Sequence, residues 1–168
     1  MPRPQSEWDA RFMRLLVEPA EWGDGVAAVV VSPDRRSTSF GYAGLPRDCT
    51  LRLEAECARD SVTMDALCRH AERNAISNAG RNLEGWTLYS TKAPCVECAM
   101  EAYANRVVRV VSPPPEPKSR WHWRQVQAAR FMHELGVEVV HLSSDRTPMT
   151  PRVGAIESPW SCPIVLDR

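Results

Sequence analysis

Apolar positions in this chain alternate between a helical and an extended repeat, and the changes of repeat mark out its elements. Trp8, Phe12, Leu15 and Leu16 recur at helical spacing, with Ser6 as candidate N-cap and Asp9 three residues on, predicting a helix that ends before Pro19. Val26 to Val31 is a short, largely β-branched run, Ser32 to Arg36 is turn chemistry, and Ser37 to Tyr42 reads as the returning strand of a hairpin. A tight loop from Gly41 to Pro46 follows, and Leu51 to Arg59 fits either a short helix or a surface excursion. Ala71 to Ala79 reads as a helix stopped by Gly80, Thr87 to Thr91 as a strand, and Cys95 to Ala104 as a second helical stretch. Arg106 to Val111 is apolar enough for a strand buried on both faces. The stiff, proline-rich segment Ser112 to Pro117 leads to a helix over Trp121 to Leu135, closed by Gly136, and a last strand over Val137 to Leu142. Strands alternating with helices predict an α/β chain, a three-layer α-β-α sandwich on a mixed five-stranded sheet whose antiparallel pair comes first. The expected division is one domain over 1–142 and a proline-containing C-terminal tail over 143–168, with little periodicity.

Composition narrows the partners. In 168 residues, 21 basic side chains balance 21 acidic ones, which argues against a protein built to grip long nucleic acid. Arg106, Arg109, Lys118, Arg120, Arg124 and Arg130 are scattered as on a solvated face. No signal peptide is expected, since Met1 to Gln5 run straight into a charged helix, and Val26 to Val31 is too short an apolar run to span a membrane. Six cysteines, two of them in a metal motif, do not make a disulfide framework at this length, so a reducing cytoplasmic location is expected. Cys49, Cys57, Cys68 and Cys162 read as ordinary thiols.

The chemistry concentrates in two short stretches. His70-Ala71-Glu72 opens the helix over 71–79, and Pro94-Cys95-Val96-Glu97-Cys98 opens the next one. Together they read H-x-E and P-C-x-x-C, the signature of zinc-dependent base deaminases. One imidazole and two thiolates offer three ligands to a tetrahedral zinc and leave a fourth position for a water, whose pKa the metal lowers towards neutrality. Cysteines at i and i+3 in a first turn share a face, and the positive end of the helix dipole favours their thiolates. Glu72 is badly placed to ligate beside His70 but well placed as the proton shuttle. A lone C-x-x-C would also fit a redox pair or half of a structural zinc site; no second such pair or H-x₃₋₅-H is present to close a four-ligand site.

These motifs, with Val29 to Asp34 leading into Gly41 to Arg47, Gly85 to Tyr89, and the late Arg120-Trp121 and Phe131 to Val137, resemble the deoxycytidylate (dCMP) deaminases of the cytidine deaminase-like superfamily. The resemblance runs from about Val26 to Leu142. It implies His70, Cys95 and Cys98 as zinc ligands, Glu72 as catalytic acid-base, the Ala71 amide on the ring carbonyl and the Pro94 carbonyl on the exocyclic amine. It also implies conversion of dCMP to dUMP, a homo-oligomer (hexamer or dimer), and activation by dCTP, with magnesium, through a loop that includes Gly41, Tyr42 and Gly44. The family usually carries asparagine, a sugar contact, where this chain has Ala43. Asp48 stands where glycine often follows Pro-Arg, and Glu21 to Gly25 replaces a polar approach to the first strand. All three departures lie at the sugar and phosphate end.

Three functions follow. The first is a zinc-dependent hydrolytic deaminase of dCMP. The second keeps the chemistry but acts on a 5-substituted dCMP, a nucleoside or a free base. The third is an inactive, zinc-stabilised regulatory or interaction domain, against which the acid-base residue Glu72 argues. Trp121 and Trp123, flanking His122, suit helix packing, a subunit contact or a pocket mouth.

Overall fold

The structure, a computed structural model, describes residues 3–22, 25–46, 49, 51–142 and 148–149, with 51, 148 and 149 described through their backbone alone. Asp48, Cys162 and nearly all of the expected tail lie outside the described residues.

The chain opens with α1 (Gln5–Leu15) and the short α2 (Val17–Glu21). The hairpin β1 (Ala27–Val31) and β2 (Thr38–Tyr42) comes next, paired from Ala27 against Tyr42 to Val31 against Thr38. Then come α3 (Leu51–Arg59), α4 (Ser61–Leu67) and α5 (Ala71–Ala79). Strands β3 (Thr87–Ser90), β4 (Arg109–Ser112) and β5 (Glu138–Leu142) alternate with α6 (Val96–Ala104) and α7 (His122–Glu134). The five expected strands form one sheet in the order β2-β1-β3-β4-β5, and a two-residue β6 (Pro148–Met149) extends its β5 edge. β1 is antiparallel to both neighbours, whereas β3, β4 and β5 run parallel. The mixed sheet is therefore an antiparallel hairpin followed by parallel additions, as the pattern of elements predicts.

Strand side chains alternate between the two faces, which gives two separate cores. Ala28, Val30, Leu88 and Val110 turn towards α5, α6 and α7, meeting Ala75, Ile76, Ala99, Ala128 and Met132. Ala27, Val29, Val31, Tyr89 and Val111 turn the other way, onto Phe12, Met13 and Leu16. Helix, sheet and helix make the three layers. Among the described residues no helix is long and apolar enough to cross a membrane.

Local details depart from expectation for physical reasons. α1 starts at Gln5 with Pro4, not Ser6, at the N-cap position, and no side chain caps it. Leu15 is exposed and Asp9 is buried in its stead, because Asp9 meets Arg109 and Tyr89 on the sheet. Arg109 is accordingly no member of a solvated face. The strand expected from Arg106 begins only at Arg109, since Arg106 has a φ of 64° and turns the chain out of α6. The segment over 51–67 is helical in two pieces, the second capped by Asp60, whose carboxylate accepts from the amides of Val62 and Thr63.

Gly41 explains why β2 and α5 lie so close. A Cβ on it would stand 2.3 Å from both the Ala71 carbonyl oxygen and the Ala75 amide nitrogen. Only a residue without a side chain permits this approach. Gly44 then pairs with Arg69 in an isolated antiparallel bridge, so the loop after β2 is tied to the residue before His70.

Candidate active site

Two helix N-termini face each other across the end of the sheet. His70 is the N-cap of α5 and Cys95 the N-cap of α6, both in extended backbone conformations. Gly80, at φ 62°, ends α5 in the left-handed turn expected of a terminal glycine. The sulfur of Cys95 lies 3.4 Å from His70 Nδ1, that of Cys98 lies 3.3 Å from the same nitrogen, and the two sulfurs are 3.6 Å apart. In the described residues this is the one group of three or more His, Cys, Asp or Glu side chains close enough to share an ion. Ligands at tetrahedral zinc, with bonds near 2.0–2.3 Å, would stand about 3.4–3.8 Å apart, so the donor set and its spacing fit the metal.

The electrostatics suit cation binding. Cys95 is pulled down to about 6, first by its hydrogen bond with Cys98 and then, against burial, by that with His70. Cys98 is pushed up by Cys95, by burial and by the Glu72 carboxylate. The pair therefore gives up one proton readily and holds the other. His70 is raised, chiefly by its hydrogen bond with Cys95, against the opposing effect of burial. A cation placed among these atoms would relieve the crowding of negative charge and complete deprotonation.

Glu72, 3% exposed, lies beside the cluster. Its Oε1 accepts from the Ser90 hydroxyl at 2.9 Å, and its Oε2 lies 3.5 Å from the Cys98 sulfur. His70, Cys95 and Glu72 form the floor of a cavity of about 440 Å³, within the size range of small-ligand sites, with Cys98 buried just beneath them. Ala43 and Ala71 line it, as do Val26, Lys92, Ala93, Trp121 and Gln125; Cys57, Ala58, Met64 and Asp65 from α3 and α4 roof it. Trp121 stands edge-on to the His70 ring, with centroids 5.5 Å apart, whereas Trp123 is 66% exposed. Of the two tryptophans, the first shapes the pocket and the second does not.

The expected residues come together unevenly. His70, Glu72, Cys95 and Cys98 converge, with Ala71, buried Pro94 and Ala43 around them. Gly41 sits in β2 against α5, Tyr42 is largely exposed and in contact with Trp22, and Gly44 is held by Arg69. Sequence reading missed Ser90, Lys92, Asp65 and Gln125. The Gln125 amide donates to the Ala93 carbonyl at 3.1 Å, and its oxygen accepts from the Glu116 amide at 3.2 Å, tying the proline-rich linker to the loop before Pro94. The visible signal was a glutamine at helical spacing in the apolar stripe of Trp121, Ala128 and Met132. Ser90 offered no signal beyond its place at the end of a strand.

Residues 6–112 match the family described as the cytidine and deoxycytidylate deaminase zinc-binding region. The chain belongs to this family, and within it to the dCMP deaminase branch of the cytidine deaminase-like fold. It is 35% identical over 128 residues to the deoxycytidylate deaminase of Mycobacterium phage D29, an alignment covering 67% of this chain and 98% of that one. It is 32% identical over 120 residues to the deoxycytidylate deaminase of Saccharomyces cerevisiae, covering 66% of this chain but only 38% of the longer yeast protein. The fold is similar to that of the dCMP deaminase from cyanophage S-TIM5, solved with dCMP and dUMP, at a TM-score of 0.59 and 20% identity over 83% of this chain and 98% of that one.

Proposed function

We propose that this protein is a zinc-dependent hydrolytic deaminase of a cytosine nucleotide, converting dCMP to dUMP and ammonia. The observation that carries the reading is the buried Glu72 carboxylate, fixed by Ser90 beside the His70, Cys95 and Cys98 donors, with Glu72, His70 and Cys95 lining one cavity. The phage and yeast relatives, both described as deoxycytidylate deaminases, support the substrate.

His70, Cys95 and Cys98 would hold the zinc. Bound there, zinc would act as a Lewis acid, bringing water to nucleophilic strength near neutral pH. Glu72 takes the proton of the attacking water and delivers it to ring N3 as the new oxygen bonds to C4. The same carboxylate then moves the remaining hydroxyl proton to the amino group, so that the C4–N bond breaks with ammonia leaving and a C4 carbonyl remaining. The Ala71 amide, at the open N-terminus of α5, donates to the ring carbonyl, and the Pro94 carbonyl accepts from the exocyclic amine. Ser90 keeps one Glu72 oxygen occupied, so the other faces the reacting atoms. Trp121 and the α3–α4 roof exclude bulk water.

The same chemistry on a 5-substituted dCMP is the second reading, favoured by the apolar roof of Cys57, Ala58 and Met64 and by the methyl group of Ala43 at the sugar end. The rest of the reading is a domain over 1–142 with a tail over 143–168, a cytoplasmic homo-oligomer, and a dCTP–magnesium effector response. Exposed Met100, Tyr103 and Trp123 suit a subunit contact.

The test is ultraviolet absorbance with zinc-loaded protein on dCMP, 5-methyl-dCMP, CMP, dCTP, deoxycytidine and cytosine, with and without added dCTP and magnesium. Glu72→Gln should keep its zinc and lose turnover. A variant as active as the parent would refute the mechanism, and turnover of 5-methyl-dCMP in preference to dCMP would favour the second reading.

A further inference from the structure

The cavity has a cationic mouth that the chemistry at its floor does not use. Lys92, on the loop between β3 and α6, is exposed and lines the cavity, and no ion pair or hydrogen bond engages its ammonium among the described residues. Arg120 also lines it. Its guanidinium lies 5.7 Å from the Trp121 ring centroid, and that ring lies 5.5 Å from His70, so a short run of contacts links the arginine to the floor. The roof carries the opposing charge: Asp65 Oδ1 on α4 is 2.6 Å from Arg120 Nη2. Glu72, the other carboxylate lining the cavity, is buried at the floor and turned to Ser90.

We propose that Lys92 and Arg120 are the phosphate subsite of this pocket and that Asp65 is its internal competitor. Arg120 exchanges Asp65 for the substrate's phosphate when a nucleotide enters. The inference rests on the deaminase reading and deepens it, because it selects a nucleoside monophosphate over a nucleoside or free base.

Charge decides the exchange. With Arg120 held by Asp65, the mouth keeps the single net positive charge of Lys92. A phosphate brings close to two negative charges and three acceptor oxygens, against one charge on a carboxylate. A guanidinium binds such an oxygen fork through two parallel hydrogen bonds. The Asp65–Arg120 pair is partly exposed on both sides, with side-chain exposures of 31% and 57%, and exposed pairs hold weakly. A neutral nucleoside offers Arg120 no reason to leave Asp65, and the walls at Val26, Ala43, Met64 and Trp121 offer it no charged partner.

The test compares kcat/KM for dCMP and deoxycytidine in zinc-loaded parent, Lys92→Met, Arg120→Met and Asp65→Asn, alongside calorimetric binding of dUMP and deoxyuridine. The Lys92 and Arg120 variants should each lower the dCMP-over-deoxycytidine preference at least tenfold, mainly through KM. Asp65→Asn should shift it the opposite way, lowering KM for dCMP at least threefold. Equal losses on both substrates, or weaker dCMP binding in Asp65→Asn, would overturn the subsite. If the parent deaminates nothing, the deaminase reading fails and calorimetry decides the subsite alone. A dUMP preference that disappears in Lys92→Met and Arg120→Met upholds it; equal binding of dUMP and deoxyuridine by the parent overturns it.

Discussion

Asp9 anchors a buried electrostatic cluster that ties the first helix to the sheet. Its carboxylate accepts from Arg109 Nη1 and Nη2 at 2.8 and 2.9 Å, from the Tyr89 hydroxyl at 2.8 Å and from Gln5 at 3.0 Å. The side chains of Asp9 and Arg109 are 2% and 12% exposed. Removing one partner of a buried pair costs about 3–5 kcal/mol, because the other charge stays buried without it. Arg109 retains a bond to the exposed Glu138 at 3.0 Å, so Asp9→Ala belongs at the low end, about 3 kcal/mol. For a chain of this length that is a fall in Tm of roughly 6–12 °C. Replacing both partners together, as Asp9→Leu with Arg109→Met, should restore most of the loss.

The pH dependence follows with a definite sign. Burial pushes the Asp9 carboxyl up, but the hydrogen bonds from Arg109, Gln5 and Tyr89 outweigh it and leave it below the usual value of 3.8. A carboxylate depressed in the folded state stabilises the fold fully above its unfolded pKa, near 3.9, and loses that contribution as pH falls through the lower folded value. Urea unfolding of the parent and of Asp9→Asn should therefore show a large gap at pH 7 that narrows below about pH 4. A loss under about 1 kcal/mol in Asp9→Ala, or a gap as wide at pH 3 as at pH 7, would refute the account.

Three further outcomes are expected. Ser90→Ala removes a hydrogen bond to a charged group, worth about 1.5–3 kcal/mol, so kcat should fall roughly 10–100-fold with zinc content unchanged; a change under twofold would show that Ser90 does not orient Glu72. Gly41→Ala forces β2 off α5 and should cost about 1–3 kcal/mol in thermal unfolding, with lower zinc affinity because α5 presents His70; an unchanged Tm would contradict the close approach. Chelation should lower Tm, since a metal bound only by the folded state adds about 2.7 kcal/mol at one hundred times its Kd, and an identical melting curve with and without chelator would argue against a metal centre at His70, Cys95 and Cys98.

The chain carries its metal cluster and its layers in plain view because both rest on local chemistry. Helix N-termini at His70 and Cys95, the stop at Gly80, and the β-branched runs of β1 and β5 each need only neighbours within a few residues. The pairing of H-x-E with P-C-x-x-C is legible for the same reason: ligand types and spacing are written in two short stretches. What tertiary structure decided were contacts between residues distant in sequence. Asp9 meets Arg109 across 100 positions, and Ser90 at the end of β3 reaches Glu72 on α5. Asp65 finds Arg120 only because α3 and α4 fold over the cavity. None of these side chains differs by type or spacing from ordinary surface or strand residues. Their roles follow from burial and charge pairing, which exist only once the layers have packed.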